Sequence, residues 1–525
     1  MFNYMKFQIN ILKLSYKYYK MCGIFFYKSD NKCSKNKLKE YGEKCNHRGP
    51  DNTKVRSVYY RNNYMYFMFH RLSINGLNNI SDQPLTKNNN ILLCNGEIYN
   101  YKLLQEKYDI KLNTESDCEI ILHLYEIMSL NELLNNLDGV FSFVLYDGCK
   151  KKIVVGHDPF GIRSLYMFHD KETFGISSEM KSLCDLNKNI VFYPPGSYSI
   201  YDIDTNILET HKYYTLKFPI YKYEEKDTIE NINKILTNCV NKRLITDRPI
   251  GCLLSGGLDS SIIASIMSKK IKNLKTFSIG LNGSPDLYYG EKVASHLNTD
   301  HTIVLVTEKQ MLDAIEKTIY QIESYDITTI RASVPMLLLS EYIRDNSDIK
   351  VVLSGEGADE ASGSYLYFHN APDSDSFQEE CIRLIKDVQY FDALRCDKTT
   401  AGAGLEIRVP FFDKSFIEYY MSIEPDKKMV KDGMEKYLLR KAFENDLPDE
   451  ILWRRKDGFS DGVSSVDKPW YEIIEEYSQK KYNMCEKDMY KQIYQKYYKG
   501  TDNIPYMWMP KWSKQTNPSN RLIIA

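Results

Sequence analysis

The chain lacks the features that mark a metal finger, a membrane span or a polyanion binder. Its 12 cysteines are scattered, with no CxxC pair and no compact Cys/His cluster, so they read neither as a zinc site nor as a disulfide framework. A reducing, cytoplasmic setting suits them best. Lys and Arg number 69 against 70 Asp and Glu, a net charge of -1, which leaves no global positive field to hold nucleic acid. No stretch approaches the ~18 consecutive apolar residues of a bilayer span, and no membrane partner is expected. What is present, 525 residues at 43% hydrophobic and 26% charged, is the balance of a globular protein. At about 100–200 residues per domain the length predicts two cores.

The first twenty residues carry Lys6, Lys13, Lys17 and Lys20 with no acid and no arginine. They also lack the apolar core and small-residue cleavage site of a secretory signal. Residues 1–21 are therefore expected to be an extension absent from, or removed in, the active protein, so that Cys22, directly after Met21, comes first.

From Met21 to about Lys212, short apolar or alternating runs at Tyr64–His70, Ile91–Cys94, Val140–Tyr146 and Ile153–His157 predict a β-rich region. One helix is expected over Ser116–Met128, with Ser116 as its cap. After Pro194-Pro195-Gly196 and a charged stretch near Lys217–Lys226 the texture changes. Strands at Pro249–Leu254, Thr276–Leu281, His301–Val306 and Lys350–Ser354, with helices Ser260–Lys269 and Asp286–Leu297 after two of them, predict a parallel α/β sheet. From about Phe377 the pattern is mostly helical. The boundaries expected are a domain at 22–212, a linker at 213–226 and a second domain at 227–525.

A cysteine that begins a chain carries a free α-amine of pKa ~7.7–8, near enough to neutrality to act as base for its own thiol. Around Cys22 stand segments with the groups amide hydrolysis needs: HRGPD (His47–Asp51), Arg71 at a strand end, and Asn95-Gly96-Glu97. The Asn95 amide and the Gly96 N–H are suited to an oxyanion hole. Arg71 suits a substrate carboxylate, Glu97 and Asp117 its ammonium. Each of these, taken singly, also reads as a surface charge or turn residue. The set CGI, HRGPD, HRLSI, NGEIYN and SDCEIIL resembles the glutaminase domain of the N-terminal-nucleophile (class II) glutamine amidotransferases. The resemblance implies an αββα sandwich in which Cys22 attacks the glutamine amide, Asn95 and Gly96 hold the oxyanion, and Arg71, Glu97 and Asp117 bind glutamine.

In the second half, Leu253-Leu254-Ser255-Gly256-Gly257-Leu258-Asp259-Ser260-Ser261 follows a strand and opens a helix, so backbone N–H groups converge where a phosphate can sit. The loop is neither a Walker motif nor GxGxxG. Because Asp259 would repel phosphate, a bridging Mg²⁺ is implied. Ser354-Gly355-Glu356-Gly357-Ala358-Asp359-Glu360 places two glycines and three acids at the carboxyl edge of the sheet, where such folds bind ligands. Asp359 is the second candidate metal ligand, Glu356 a candidate for handling the acyl intermediate or incoming ammonia, and Glu360 reads as a solvated turn acid. Lys456 is a candidate for neutralising charge on phosphate.

The loop resembles that of the ATP pyrophosphatases. Together with Cys22, and with the runs ESYDITTIRAS (Glu323–Ser333), YLYFHNAP, TTAGAGLEIRVPFFD and WMPKW, the chain resembles the glutamine-hydrolysing asparagine synthetase family, its eukaryotic branch above all. That resemblance implies ATP, L-aspartate and L-glutamine as substrates and AMP and pyrophosphate among the products; a homodimer is an assembly to look for, though the sequence itself does not give the oligomeric state. The resemblance also implies that backbone around Leu253, Ile279, Ser354 and Gly355 holds adenosine, that Ser255–Ser260 holds pyrophosphate, and that Thr328 and Arg331 recognise aspartate. Ala358 stands where the family usually has serine. A β-lactam-synthetase-like cyclase, an ammonia-only synthetase and a non-catalytic nucleotide-sensing scaffold are the rival readings. A cyclase has no use for Cys22 and Arg71, and a decayed scaffold should have lost Cys22, Asp259, Asp359 or Lys456.

Overall fold

A computed structural model describes residues 8–11, 22–30, 33–49, 51–502 and 504–523. Most of the expected extension, Met21 included, and Pro50 of the HRGPD turn lie outside the described residues.

Two six-stranded antiparallel sheets form the first half. One runs Val191–Phe192, Tyr166–His169, Thr173–Ser177, Gly23–Ser29, Asn63–Arg71, Asn52–Tyr60. The other runs Ile207–Lys212, Ser197–Asp202, Lys152–His157, Gly139–Asp147, Asn90–Ile98, Leu85–Lys87. Side chains alternate across a strand, and the sequence exploits this on both faces. Ile24, Phe26, Phe67 and Phe69 of the first sheet pack with Leu93, Val144, Tyr146 and Val155 of the second. The intervening Phe25, Tyr27, Tyr66 and Met68 pack outward with Leu38 of the helix Lys35–Glu43. Leu92, Phe143 and Leu145 pack on their own outer side against Ile121, Leu124 and Leu133 of the helices Ile120–Ile127 and Leu130–Asn136. The result is the αββα sandwich.

The expected Ser116 cap is not made. Asp117–Glu119 forms a single 3₁₀ turn before the helix, and the Ser116 side chain caps nothing. The Glu119 carboxylate accepts the N–H groups of Asn113 (2.9 Å) and Thr114 (2.7 Å), charge-assisted bonds that pin the preceding loop to the turn.

The second half is built on an all-parallel sheet in the order Gln8–Ile11, Asp300–Leu305, Lys275–Gly280, Ile250–Leu253, Val351–Leu353, Glu406–Arg408. The four central strands are the expected ones. Glu406–Arg408 was not read as a strand because Glu-Ile-Arg carries no apolar run. Its charges are matched across the chain, and all three residues are buried. Part of the extension also joins the fold: Gln8 pairs with Thr302 and Ile11 with Leu305, covering an edge whose N–H and C=O groups would otherwise be open. The expected linker is partly structured. Tyr221 donates its N–H to Ser422 O at 2.9 Å, and the helix Glu225–Lys242 begins inside it. No described helix is long and apolar enough to cross a membrane.

Candidate functional site

Two sites emerge, one in each half. In the first, Gly23–Ser29 and Asn63–Arg71 are hydrogen-bonded neighbours with Gly23 opposite His70, which brings Cys22 against the residues just past Arg71. The Cys22 thiol donates to Leu72 O and faces the Leu72 N–H, both at 3.3 Å. Burial pushes this thiol up to about 12, with the Leu72 backbone pulling the other way. Such a thiol stays protonated at neutral pH unless a base is at hand.

The candidate oxyanion pair, Asn95 and Gly96, lies on the strand Asn90–Ile98. Asn95 is buried and its Nδ2 has no hydrogen-bond partner among the described residues. Unmet buried donors are rare and costly, and an amide held open in this way is what a developing oxyanion needs. Gly96 sits at φ +155°, and a Cβ there would come within 2.1 Å of Val140 O, so the close approach of the next strand requires glycine.

The glutamine-binding candidates are present but engaged. The Arg71 guanidinium donates to Asp82 at 2.6 Å and to Asn78 O at 2.7 Å. Glu97 accepts from Asn75 Nδ2 at 2.5 Å and lies 3.6 Å from Arg408. Asp117 accepts the Ile98 N–H at 2.6 Å. Burial raises both acids. Asp117 reaches about 6, and Glu97 stands well above the usual range, with Asp117 adding to the rise.

In the second half one cavity is lined by Leu253, Ser255, Gly257, Asp259, Ser260, Ile279, Thr328, Ser354, Gly355, Glu356, Asp359 and Lys456. The loop Ser255–Ser260 and the turn Ser354–Asp359 follow adjacent parallel strands, which is why they meet. A Cβ on Gly355 would stand 2.6 Å from Ser260 N. Gly256 lies behind the loop, its missing Cβ against Tyr289 and Gly290.

The two candidate metal ligands meet on a lysine that sequence reading missed. Lys436 Nζ donates to both oxygens of Asp259 (2.7 and 2.6 Å) and to Asp359 (2.6 Å). Lys456 donates to Asp359 at 2.6 Å and stands 3.7 Å from Asp259. Burial works to raise the Asp359 carboxyl, but Lys436 and Lys456 hold it far below the usual range. Lys436 sits 177 positions from Asp259, and nothing in its own segment points to that acid. Glu356 receives a bidentate pair from Arg395 at 2.9 and 2.7 Å. Glu360 is not a solvated turn acid: it is buried, accepts from Tyr365 Oη at 2.6 Å, and is raised by burial and by Asp392.

The two aspartate candidates part company. Thr328 lines the cavity and donates to Asp326 at 2.6 Å. Arg331 is not among the lining residues. Its guanidinium is bound to Glu486 (2.9 and 2.5 Å) and Asn517 (2.8 Å), so a substrate carboxylate would have to displace an ion pair already buried.

Between the sites runs a buried ionic seam. Arg48 bonds to Glu179 (2.6 Å) and to Asp397 (2.8 Å). Arg163 donates to Asp397 at 3.2 Å. Glu323 accepts the N–H groups of Met180 and Lys181, both at 2.8 Å, and Lys398 bridges Glu323 and Glu179. A seam of this kind adds little net stability over an apolar one but fixes a single relative placement, since removing one partner strands a buried charge.

Comparison with known proteins agrees with both halves. The glutamine amidotransferase domain family matches residues 21–198, and the asparagine synthase family matches residues 231–383 and 371–515. The chain is 40% identical over 557 aligned positions to the asparagine synthetases [glutamine-hydrolyzing] of Mus musculus and Homo sapiens, and 38% identical to that of Gallus gallus. In each case the match covers 96% of this chain and 98% of the relative. With both domain families matched in order and the relatives covered nearly end to end, the chain belongs to the glutamine-hydrolysing asparagine synthetase family.

Proposed function

We propose that the chain converts L-aspartate, L-glutamine, ATP and water to L-asparagine, L-glutamate, AMP and diphosphate. Residues 22–212 act as the glutaminase, 213–226 as the linker and 227–525 as the synthetase. The observation that carries this reading is the pairing, on one chain, of a half-buried cysteine and a buried amide donor without a partner among the described residues, Asn95, with a glycine-loop cavity whose lining includes Asp259, Asp359, Lys436 and Lys456.

In the glutaminase, Cys22 Sγ attacks the glutamine amide carbon, its proton passing to the α-amine that Cys22 has only when it begins the chain. Asn95 Nδ2 and the Gly96 N–H receive the oxyanion. Arg71 orients the α-carboxylate, and Glu97 and Asp117 the ammonium. Ammonia leaves, and water releases glutamate from the thioester. In the synthetase, the aspartate β-carboxylate attacks the α-phosphorus of ATP, giving β-aspartyl-AMP and diphosphate. Lys456 and Lys436 neutralise the phosphates, Leu253, Ile279, Ser354 and Gly355 hold adenosine, and Thr328 faces the aspartate. Glu356 accepts a proton as ammonia attacks the acyl carbon and AMP departs. Keeping this cavity dry protects the adenylate from hydrolysis.

Mg²⁺ suits the same cavity. Asp259 and Asp359, which meet on the Lys436 ammonium, are the two hard carboxylates that would hold Mg²⁺ together with phosphate oxygens. When bound there it screens phosphate charge. The 12 cysteines are all free thiols, which supports a cytoplasmic setting. A homodimer without nucleic-acid partners completes the reading.

The test is Cys22→Ala in a chain beginning at that position. Glutamine-supported asparagine formation should vanish while ammonium-supported formation persists. Glutamine use surviving in C22A would refute the assignment.

A further inference from the structure

We infer that Asp397, a residue of the synthetase half, positions the glutaminase nucleophile through Arg48. This rests on the reading of Cys22 as the nucleophile and extends it across the domain boundary.

Arg48 Nε donates to the Cys22 carbonyl oxygen at 3.0 Å. No other side chain meets the Cys22 backbone oxygen among the described residues, and this bond sets where the thiol-bearing residue sits against Leu72. A guanidinium on a flexible stem holds such a bond only if its other nitrogens are fixed. Here they are fixed from two sides: Glu179 of the glutaminase half takes Nη1 at 2.6 Å, and Asp397 takes Nη2 at 2.8 Å. Asp397 is itself over-determined. Its two oxygens also accept from Ser164 Oγ (2.9 Å) and Arg163 (3.2 Å), and it is fully buried. Burial works to raise its carboxyl, but Arg48 and Arg163 hold it below the usual range, so the bond to Arg48 is between full charges.

The helix that carries Asp397, Asp392–Ala403, begins at the other site. Arg395, two residues before Asp397, clamps Glu356 in the nucleotide cavity and also bonds Asp392. One rigid element thus has an acid on the nucleophile's anchor and a base on the carboxylate that meets ammonia. Loss of the Asp397 charge frees one side of the guanidinium, and misplacement of a nucleophile by a fraction of an ångström lowers the rate of attack more than it lowers binding.

The test is Asp397→Asn in the full chain beginning at Cys22, with three readouts. The glutaminase kcat should fall about ten- to a hundred-fold with glutamine KM changed far less. Ammonium-supported AMP formation should stay within about two-fold of the parent, because nothing in the nucleotide cavity touches Asp397. In an Arg48→Lys background, which keeps the charge but loses the Nε donor, D397N should cost less than about two-fold more. A D397N enzyme with parental glutaminase would overturn the inference, as would one that loses both activities together, since the residue would then only hold the halves in place. Additive losses in the double variant would show that it acts by another route. If the parent hydrolyses no glutamine, the reading of Cys22 fails instead.

Discussion

Lys436 donates to Asp359 at 2.6 Å from the same nitrogen that meets both oxygens of Asp259. Without that ammonium the two carboxylates are left with Lys456 alone to offset their mutual repulsion. Lys436→Met should lower ammonium-supported AMP release by about a hundred-fold or more while leaving glutaminase turnover within about two-fold. Steady-state assays of the two half-reactions check this. Parental AMP release would remove Lys436 from the phosphate site.

Asn95→Ala removes a buried amide donor that has no partner among the described residues. Loss of a single oxyanion donor costs about 10²–10³ in kcat, so glutaminase turnover should fall by that much with ammonium-supported synthesis intact. A change confined to KM would mean that Asn95 binds glutamine without stabilising the oxyanion.

Burial places the Asp117 carboxyl at about 6. Below that pH the group is protonated and no longer complements an ammonium, so glutamine KM should rise as pH falls from 7.5 to 5.5 in the free enzyme's profile. Asp117→Asn should raise KM at pH 7.5 and flatten the dependence. A KM indifferent to pH in the parent would argue that Asp117 has no part in binding the ammonium.

Asp286 opens the helix Pro285–Leu297 and lines the nucleotide cavity. Burial lifts its carboxyl from 3.8 to about 7, against the pull of Arg454. The folded state therefore holds a proton that the unfolded state has lost between those values, and stability from this group falls as pH rises through that window. Asp286→Asn removes the penalty of ionisation, so its Tm relative to the parent should become more favourable from pH 5.5 to 8.5. Thermal melts across that range read the trend, and the opposite slope would contradict the assigned shift.

The strands of the first half and the central parallel strands were legible because their signals are local, whereas the sandwich they build was implied only by the family resemblance. Phe25 and Phe26, or Leu92 and Leu93, alternate between faces within one strand, and the Ser255–Ser260 loop announces itself by glycine and aspartate within six consecutive residues. Cys22, Asn95 and Asp359 were legible as candidates for the same reason. Lys436, Arg395 and Asp397 were not, because each has meaning only through a partner far along the chain: Lys436 is 177 residues from Asp259, and Arg48 is 349 from Asp397. Arg331 shows the converse. Its motif was visible, but Glu486, which occupies it from 155 residues away, was not. Glu360 was misjudged on the same ground, since nothing local reveals that Tyr365 and Asp392 bury it.

The most direct measurement is nitrogen transfer. A chain beginning at Cys22, given aspartate, Mg-ATP and amide-¹⁵N glutamine, is expected to yield ¹⁵N-asparagine matched one for one by AMP, both read by mass spectrometry. Unlabelled product from added ammonium alone, with no label from glutamine, would contradict the joining of the two sites in one reaction.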